Sequence, residues 1–533
     1  MKKTAILYTG LAMFLCLMTA CGGASTAGKP ADNEEIAQEM SGEENSADKE
    51  SADGRKEQDS EGGGPVSEQE EAGPETEKPD SGKPDSETPD SETPDSETPV
   101  PETEEIVFGD EQFEEYLPLL EGKRVALFTN QTGIVGDKVV EEGASDADVT
   151  DDANEAGTAT AAVTSQVDTS LIPFGKDAED NDIVYGQHIL DALVGRGVQV
   201  ETVFCPEHGF RGTQDAGAEV EDDVDEETGV PIVSLYGSGK RGPDAADMDR
   251  FDILVVDIQE VGLRYYTYYI TMYRLMDACA AAGKEVLILD RPNPNGFYVD
   301  GPILQDDYKS GVGVLPLPVV YGLTLGELAG MINGEGWLDS GEDACDLTVI
   351  PCRNYTHRDK IPLIRRPSPN LRDMRAVYLY SSTCFFENTL VSVGRGTENP
   401  FEIYGSPYLE DVDGFEFSFT PQSISGASNP PFEGETCWGV DLREVPIEDI
   451  LGAGINVSYL VEAYHAVTDA SPGSSFWGSP DGSGQYWIDK LSGSSELRLM
   501  IEEGASAEEI KESWQEDVSS FLERRKPYLL YEE

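Results

Sequence analysis

The chain has 533 residues and carries 104 acidic against 37 basic side chains, a formal net charge of -67. This length provides two or more domains with apolar cores, which excludes a fibre, a peptide or a single small module. The charge excludes binding of DNA, RNA or anionic lipid through a polybasic surface, because each of these needs basic side chains that replace counterions.

The beginning of the chain has the pattern of an export signal. Two lysines at 2–3 precede an apolar run at 5–18 that is too short for a membrane span. The string LMTAC at 17–21 resembles a bacterial lipobox, whose cysteine is acylated after cleavage. We therefore expect residues 1–20 to be a lipoprotein signal peptide and Cys21 to anchor an extracytoplasmic protein to the cell membrane through lipid alone. An ordinary cleaved signal is the alternative.

Residues 21–105 form an acidic segment rich in Pro, Ser and Glu. Counted from residue 22, the segment has 27 acidic and six basic side chains, and it ends in repeats of PDSET at 84–98. It lacks the apolar surface that would offset the loss of chain entropy, so we expect a disordered stalk. A second polar stretch at 141–182 interrupts the first unit of the fold, and we interpret it as a surface insertion.

Short apolar runs alternate with helical patterns beyond the stalk. Strands are predicted at 124–129, 198–204, 253–257, 286–289 and 347–350. Helices are predicted at 188–193, closed by Gly195, and at 269–282, closed by Gly283. The pattern indicates the α/β class, with a mainly parallel sheet covered on both faces. No glycine-rich fingerprint follows the first strand, so we expect no nicotinamide cofactor and assign no other.

Polar side chains follow four of the predicted strands. They are Asn130 after the first, Glu207 and His208 after the second, Asp257, Gln259 and Glu260 after the third, and Asp290, Arg291 and Asn293 after the fourth. Each alone has a structural explanation as a cap, a solvated loop residue or half of an ion pair. Ligands of open parallel sheets bind beyond the carboxyl ends of the strands, however, so this concentration indicates a site. Several carboxylates in such a place suit acid and base chemistry on a polar substrate.

Five ordered motifs resemble the bacterial exo-β-N-acetylmuramidase family, formerly a domain of unknown function. They are EHGFRG at 207–212, DIQEVGLRYYTY at 257–268, DRPNP at 290–294, PSPNL at 367–371 and ENTLVSVGRGT at 387–397. The resemblance runs from about residue 123 to the end of the chain. Two positions depart from the family pattern, since Glu260 stands where the family often has Asp, and Asn388 where it often has Gly.

The resemblance implies a fold and an activity. We expect a Rossmann-like catalytic subdomain at 106–370, a smaller α+β subdomain at 371–533 and an active-site cleft between them. The implied reaction is exo-acting removal of non-reducing terminal N-acetylmuramic acid from peptidoglycan fragments. The implied partners are muropeptides or disaccharides from peptidoglycan, and association into a homodimer is left open.

Hydrolysis of a glycosidic bond requires two carboxyl groups. Glu207 is the candidate acid because it follows an apolar strand and precedes Phe210, and an apolar neighbourhood favours the protonated form that an acid needs. The second carboxylate is Glu260, Glu387 or Asp257, and the residues alone do not decide among them.

The implied substrate carries a lactyl carboxylate, which an arginine guanidinium can bind through two parallel hydrogen bonds. Four arginines lie inside the motifs and are the candidates: Arg211, Arg264, Arg291 and Arg395. We expect about half of them to be structural ion pairs, because buried charges are usually paired. The other expected substrate contacts are Asn130, His208, Gln259, Tyr266, Asp290 and Asn293. Tyr266 is in a cluster of three tyrosines, of which at least one belongs to the core.

No metal site is predicted, because the four histidines are scattered along the chain. If a metal were required, the ligands to suspect are Glu207, His208, Asp257 and Asp290. The close pair Cys345 and Cys352 would lie roughly 20 Å apart in an extended segment, which is too far for a disulfide.

Two other functions are compatible with the sequence. The first is a metal-dependent amidase or esterase of the cell wall, which a chelator would inactivate. The second is a non-catalytic lipoprotein that binds the wall and forms no product.

Overall fold

The computed structural model describes residues 105–136, 174, 186–211, 221–236, 242–341 and 344–533. The expected signal peptide, the lipidated cysteine, the stalk as far as residue 104 and all but residue 174 of the expected insertion lie outside the described residues.

The larger sheet has seven strands among the described residues. They are β1 (Arg124–Phe128), β2 (Gln199–Cys205), β3 (Asp223–Val224), β4 (Pro231–Ser234), β5 (Ile253–Val256), β6 (Glu285–Leu289) and β7 (Asp346–Ile350). Their order across the sheet is β3-β4-β2-β1-β5-β6-β7, and each neighbouring pair is parallel except β3 with β4. Without the short edge strand β3, this is the strand order of the Rossmann fold.

Helices cover both faces of this sheet. They are α1 (Phe113–Leu120), α2 (Ile189–Gly195), α3 (Ala245–Met248), α4 (Tyr268–Ala282) and α5 (Leu325–Gly334). Side chains of β1 alternate between two cores: Val125 and Leu127 pack with α1 and α2, whereas Ala126 and Phe128 pack with α3, α4 and α5. The α/β class with a sheet buried on both faces is therefore confirmed.

The predicted strands agree with the observed ones to within one residue at each end. The predicted helix before Gly283 is also confirmed as α4, and Gly283 takes the left-handed conformation with a φ of 62°. Helix α2 ends at Gly195, but the left-handed residue after it is Gly197. Strands β3 and β4 have no counterpart in the prediction, because β4 offers an apolar run of only two residues inside PIVS.

A smaller antiparallel sheet follows in the chain. Its strands are β8 (Ile403–Ser406), β9 (Phe417–Phe419) and β10 (Cys437–Asp441), in the order β8-β10-β9. The helices of this part are α6 (Met374–Thr383), α7 (Ile447–Ala453), α8 (Ser458–Ala470), α9 (Trp487–Ser492), α10 (Glu496–Glu502), α11 (Ala507–Ser513) and α12 (Gln515–Arg525). Their apolar side chains share one continuous core with α4 and α5.

The end of the chain returns to the larger sheet. The Tyr531 hydroxyl donates to Asp290 Oδ2 at 2.6 Å and accepts from the backbone N–H of Cys352 at 3.0 Å. The backbone N–H of Leu530 donates to Glu327 Oε1 at 2.8 Å. The carboxyl terminus thereby fixes the loop after β6 and the first turn of α5.

The cysteines after residue 21 form no disulfide bonds with one another. The six cysteines after residue 21 are free and buried: Cys205, Cys279, Cys345, Cys352, Cys384 and Cys437. Cys345 and Cys352 are thus not joined, in agreement with their spacing. Of the helices in the described ranges, none is long and apolar enough to cross a membrane.

Candidate active site

The strand order reverses between β1 and β5, and the carboxyl ends of these strands mark the crevice where ligands of doubly wound sheets bind. Asn130 follows β1, and its Oδ1 accepts from the backbone N–H of Thr132 at 2.9 Å and from its hydroxyl at 2.6 Å. The same hydroxyl accepts from the backbone N–H of Gln259, after β5, at 3.0 Å. The two loops at the switch point are therefore held together through Thr132, which was not among the sequence candidates, and Asn130, which was.

Glu207 lies in a tight turn after β2, the strand next to β1. The backbone N–H of Gly209 donates to Pro206 O at 3.1 Å, which closes the turn. His208 occupies its third position with a φ of 69°, in the left-handed region that a side chain disfavours. His208 is buried, whereas Glu207 is half-buried. The turn thus presents the candidate acid at the edge of the sheet at the cost of strain in its neighbour.

Two hydroxyl side chains contact Glu207. Thr267 precedes α4, and its hydroxyl donates to Glu207 Oε2 at 2.8 Å instead of capping the helix. Tyr236 follows β4, and its side chain also hydrogen-bonds to Glu207; burial first, and then the charge of Glu207, raise the pKa of this phenol. The carboxyl group is therefore held in place by groups from two further elements, in a more polar setting than the sequence suggested.

Thr267 and Tyr236 were absent from the candidates drawn from the sequence. Tyr236 was missed because β4 itself was not predicted, so no polar side chain was expected after it. Thr267 lies inside the motif at 257–268, where the tyrosines on either side of it drew attention as aromatic platforms.

Glu260 performs the capping that Thr267 does not. Its Oε1 accepts from the backbone N–H of Tyr269 at 3.1 Å, in the first turn of α4. Its Oε2 accepts from the backbone N–H groups of Val261 at 2.6 Å and Gly262 at 3.2 Å. The side chain is 4% exposed, and burial raises its pKa to about 8 against the lowering effect of these hydrogen bonds. Glu260 therefore joins the loop after β5 to α4 and faces away from solvent.

Glu387 lies in the other part of the chain and remains accessible. Its Oε1 accepts from Arg395 Nε at 2.7 Å, and the two side chains are 24% and 18% exposed. The guanidinium of Arg395 also lies over the ring of Phe401, 5.0 Å from the ring centre. The following residue, Asn388, has a left-handed φ of 61°, a conformation that glycine adopts freely and that asparagine adopts more readily than most other residues.

A series of aromatic contacts connects the two regions. The ring of Tyr266 contacts that of Tyr268 with centres 4.6 Å apart, and Tyr265 contacts Tyr380 at 5.3 Å. Tyr380 in turn contacts Phe401, the ring under Arg395, at 4.6 Å. Tyr265 directly precedes Tyr266 in the chain, so the segment that carries Thr267 also packs, through Tyr265 and Tyr380, toward the ring under Arg395.

The expectation that Tyr266 contacts substrate is wrong. Tyr266 is 5% exposed, and its hydroxyl donates to Pro367 O at 2.6 Å. Tyr268 also donates to Pro367 O, at 2.7 Å. Both rings are core residues, because the motif containing Pro367 packs over them.

Two of the four candidate arginines are buried structural residues. Arg264 donates from Nη1 to Pro302 O and Leu317 O at 2.8 and 2.6 Å, and from Nη2 to Leu491 O at 2.8 Å. It is fully buried, so its expected role in substrate binding is wrong. It instead joins the loops beside the larger sheet to α9.

Arg291 forms a buried triad of charges. Its Nε donates to Asp257 Oδ1 at 2.6 Å, and its Nη2 donates to Asp110 Oδ2 at 2.8 Å. The three side chains are 3%, 0% and 0% exposed. The structural alternative therefore holds for Arg291 and Asp257, and the substrate contact expected of Arg291 is wrong.

Arg211 follows the Glu207 turn and is the most exposed of the four, with 65% of its side chain accessible. It donates to Asp225 Oδ1 at 2.8 Å, and its guanidinium lies 4.8 Å from the ring centre of Phe210. All four arginines chosen from the sequence thus have protein partners, and two of them, Arg211 and Arg395, keep exposed surface.

The remaining polar candidates hold loops in place. Gln259 Nε2 donates to Glu260 O and Pro292 O at 2.9 and 2.8 Å, and Asn293 Nδ2 donates to Leu323 O at 2.8 Å. Both side chains are buried. Both amides therefore donate to backbone carbonyl oxygens inside the protein, and their expected contact with substrate stays a prediction.

Asp290 is also a structural carboxylate. Its Oδ1 accepts from the backbone N–H of Gly326 at 2.9 Å, and its Oδ2 accepts from the hydroxyls of Thr324 and Tyr531, each at 2.6 Å. Burial raises its pKa to about 6 despite these donors. Because it is 1% exposed, the expected contact between Asp290 and substrate is wrong.

Within the described ranges, no group of three or more His, Cys, Asp and Glu side chains is arranged to hold a metal ion. Of the ligands considered from the sequence, Asp257 and Asp290 are engaged in the separate clusters described above. Glu207 contacts hydroxyl groups of Thr267 and Tyr236.

Comparison with protein families identifies two adjoining matches. The model described as "Exo-beta-N-acetylmuramidase NamZ, N-terminal" matches residues 182–375. The model described as "Exo-beta-N-acetylmuramidase NamZ, C-terminal" matches residues 378–531.

Individual proteins give the same result. The chain is 35% identical over 349 residues to the peptidoglycan beta-N-acetylmuramidase NamZ of Bacillus subtilis (strain 168), which covers 63% of this chain and 80% of that protein. Crystal structures of two DUF1343 family proteins of Bacteroides fragilis NCTC 9343 are similar, with 45% identity and a TM-score of 0.64, and 26% identity and a TM-score of 0.60. Each covers 80% of this chain and 99% of the solved chain.

Proposed function

The chain belongs to the NamZ family of exo-beta-N-acetylmuramidases, and we propose that Glu207 is the general acid with which it releases terminal N-acetylmuramic acid from peptidoglycan. The activity is that of a glycosidase. Cleavage of its substrate requires a proton for the leaving oxygen and a second carboxylate at the anomeric carbon. The observation that carries the assignment is the accessible carboxyl of Glu207 at the carboxyl edge of the sheet, fixed by Thr267 and Tyr236.

Glu387 is the second carboxylate of the proposal. A base or nucleophile must reach water or the sugar, and Glu387 keeps 24% of its side chain exposed. Glu260 is 4% exposed and accepts hydrogen bonds at both carboxyl oxygens, and Asp257 has no exposed surface and is paired with Arg291 through Oδ1. Arg395 pairs with Glu387 Oε1 at 2.7 Å and leaves part of the carboxylate accessible, which suits either activation of water or direct attack on the anomeric carbon.

The reaction assigns a task to each side chain. Protonated Glu207 donates its proton to the glycosidic oxygen as the bond to the anomeric carbon breaks, and the leaving sugar departs as an alcohol. Glu387 supplies negative charge at the developing oxocarbenium ion, and water supplies the oxygen that then bonds to the anomeric carbon. If water attacks directly, Glu387 takes the water proton and Glu207 is reprotonated from solvent; if Glu387 first forms a glycosyl ester, water displaces it and gives its proton back to Glu207. The hydroxyl groups of Thr267 and Tyr236 hydrogen-bond to the Glu207 carboxyl and fix its orientation.

The test is release of free N-acetylmuramic acid from a disaccharide with that sugar at its non-reducing end. Glu207→Gln should lower kcat by a factor of about a hundred or more while ligand affinity is retained. Glu387→Gln should have a comparable effect, whereas Glu260→Gln should act mainly on stability. Glu201→Gln is the matched control, because Glu201 lies on the same strand at the opposite end. More than about a tenth of wild-type kcat in Glu207→Gln would contradict the assignment.

We also propose that the protein is an extracytoplasmic lipoprotein held at the membrane through Cys21. The lipobox-like sequence at 17–21 and the acidic segment behind it support this proposal. Cys21→Ser should release the protein from the membrane fraction or leave its signal uncleaved, and a chain starting near residue 105 should retain full activity on small substrates. Unchanged membrane fractionation of Cys21→Ser with normal cleavage would refute the anchor.

A further inference from the structure

The substrate of the proposed reaction carries a carboxylate on its lactyl group, and this anion requires a cationic partner. Each of the four arginines inside the motifs already has a partner in the protein. Arg211, Arg291 and Arg395 form ion pairs with carboxylates, and Arg264 donates to carbonyl oxygens. An arginine that binds substrate through its whole planar fork should instead lack partners in the protein alone.

Arg366 meets this condition. Among the described residues, its guanidinium forms no hydrogen bond and no ion pair, although the side chain is half-buried. Buried charges are normally paired, and in a chain with 104 acidic side chains an unpaired arginine in such a position is unusual. Arg366 precedes the motif at 367–371 by one residue and was therefore not among the candidate arginines.

The backbone around Arg366 is fixed to the candidate active site. Gln131, in the loop after β1, donates from Nε2 to Arg366 O at 2.9 Å. The next carbonyl, Pro367 O, accepts from Tyr266 and Tyr268. Tyr268 follows Thr267, whose hydroxyl contacts the proposed acid. Arg366 is therefore attached to the same group of loops as Glu207.

The nearby charges leave Arg366 available. Burial lowers the pKa of Arg366 most, and the like charge of Arg372 lowers it further. Arg372 is bound to Glu398, and Asp373 caps α6 by accepting from the backbone N–H of Ala376 at 2.9 Å. The carboxylates close enough to affect Arg366 thus have other partners, and a bound anion would relieve the repulsion between the two arginines.

We propose that Arg366 binds the lactyl carboxylate of the terminal N-acetylmuramic acid and selects this sugar over N-acetylglucosamine. The inference rests on the proposed function. A guanidinium can bind both oxygens of a carboxylate in one plane, and a half-buried position strengthens the interaction relative to water. The corresponding sugar without the lactyl group would leave the cation unpaired in the complex, which disfavours its binding.

The test compares two aryl β-glycosides of N-acetylmuramic acid, one with the free lactyl carboxylate and one with its primary amide. The wild-type protein should prefer the carboxylate by about tenfold to a hundredfold in kcat/KM. Arg366→Gln should lose this factor on the carboxylate, mainly through KM, and should change kcat/KM on the amide by less than about threefold. Arg366→Lys should keep part of the preference, because lysine offers a point charge without the fork.

Arg365→Gln is the matched control, since it removes the same charge from the adjacent, exposed position. It should discriminate between the two glycosides as the wild type does. Equal preference for the carboxylate in Arg366→Gln and wild type would overturn the proposal, as would equal losses on both glycosides, which indicate a structural role. A wild-type protein that hydrolyses neither glycoside nor the disaccharide would instead contradict the proposed function itself.

Discussion

Arg291→Met is predicted to destabilise the fold by leaving two buried carboxylates without their cation. Arg291 joins Asp257 and Asp110 at 2.6 and 2.8 Å, and the three side chains have at most 3% exposure. Removal of one partner from a buried ion pair costs about 3–5 kcal/mol, because the remaining charge has lost its hydration and its counter-charge. Methionine preserves most of the side-chain volume, so a cavity contributes little to this loss.

The matched control is Arg211→Met. Arg211 forms an ion pair of the same length, 2.8 Å, with Asp225, but 65% of its side chain is exposed. Asp225 also accepts from the backbone N–H and the hydroxyl of Thr228, so we expect a loss of about 0–1 kcal/mol. Urea unfolding followed by circular dichroism gives both values. A loss below about 1 kcal/mol for Arg291→Met, or equal losses in the two variants, would refute the reasoning.

Two further predictions concern stability. Burial raises the pKa of Glu260 to about 8 from 4.5, and burial followed by the charge of Asp373 raises that of Glu402. Between pH 5 and about 8 the folded chain therefore holds protons that the unfolded chain has released, so the unfolding free energy should fall as the pH rises through this range. Glu402→Gln should reduce the slope of the unfolding free energy against pH by the contribution of about one proton, as measured by urea unfolding at several pH values. Tyr531→Phe should lower the unfolding free energy by about 1–3 kcal/mol in the same urea experiment, because Asp290 loses a hydrogen-bond donor and the backbone N–H of Cys352 loses its acceptor. The control Tyr408→Phe changes an exposed ring and should leave the unfolding free energy unchanged.

The strands and the edge that carries the site were predictable from the sequence. Parallel strands buried on both faces are continuous apolar runs, and the polar residue that ends each run marks its carboxyl end. Glu207 was found in this way. Tyr236 was not, because β4 has only two apolar residues in sequence and gives no comparable run.

The partners of the charged residues were not predictable. Arg264 is bound by carbonyl oxygens of residues 302, 317 and 491, which are distant in the chain. Arg366 lies directly before the motif at 367–371, and the absence of a side-chain partner for it among the described residues is a property of the folded surroundings. Motif membership therefore selected four arginines that have protein partners and did not include Arg366.

Glu260 illustrates the same limit at short range. The sequence places Glu260 two residues before a glycine and shortly before a helix, which fits a catalytic carboxylate and a cap equally well. Its three backbone donors and 4% exposure decide for the cap. Thr267 is at the N-cap position of α4, but its hydroxyl donates to Glu207 and does not cap the helix. The sequence does not show this direction of the side chain.

The central claim, that Glu207 protonates the leaving oxygen, is tested most directly by changing the leaving group. Glu207→Gln and the wild type are compared on a disaccharide, whose leaving alcohol needs a proton, and on an aryl β-glycoside of N-acetylmuramic acid, whose acidic phenol departs without one. We expect kcat to fall by about a hundredfold or more on the disaccharide and by far less on the aryl glycoside. Equal losses on the two substrates would contradict the assignment of Glu207 as the acid.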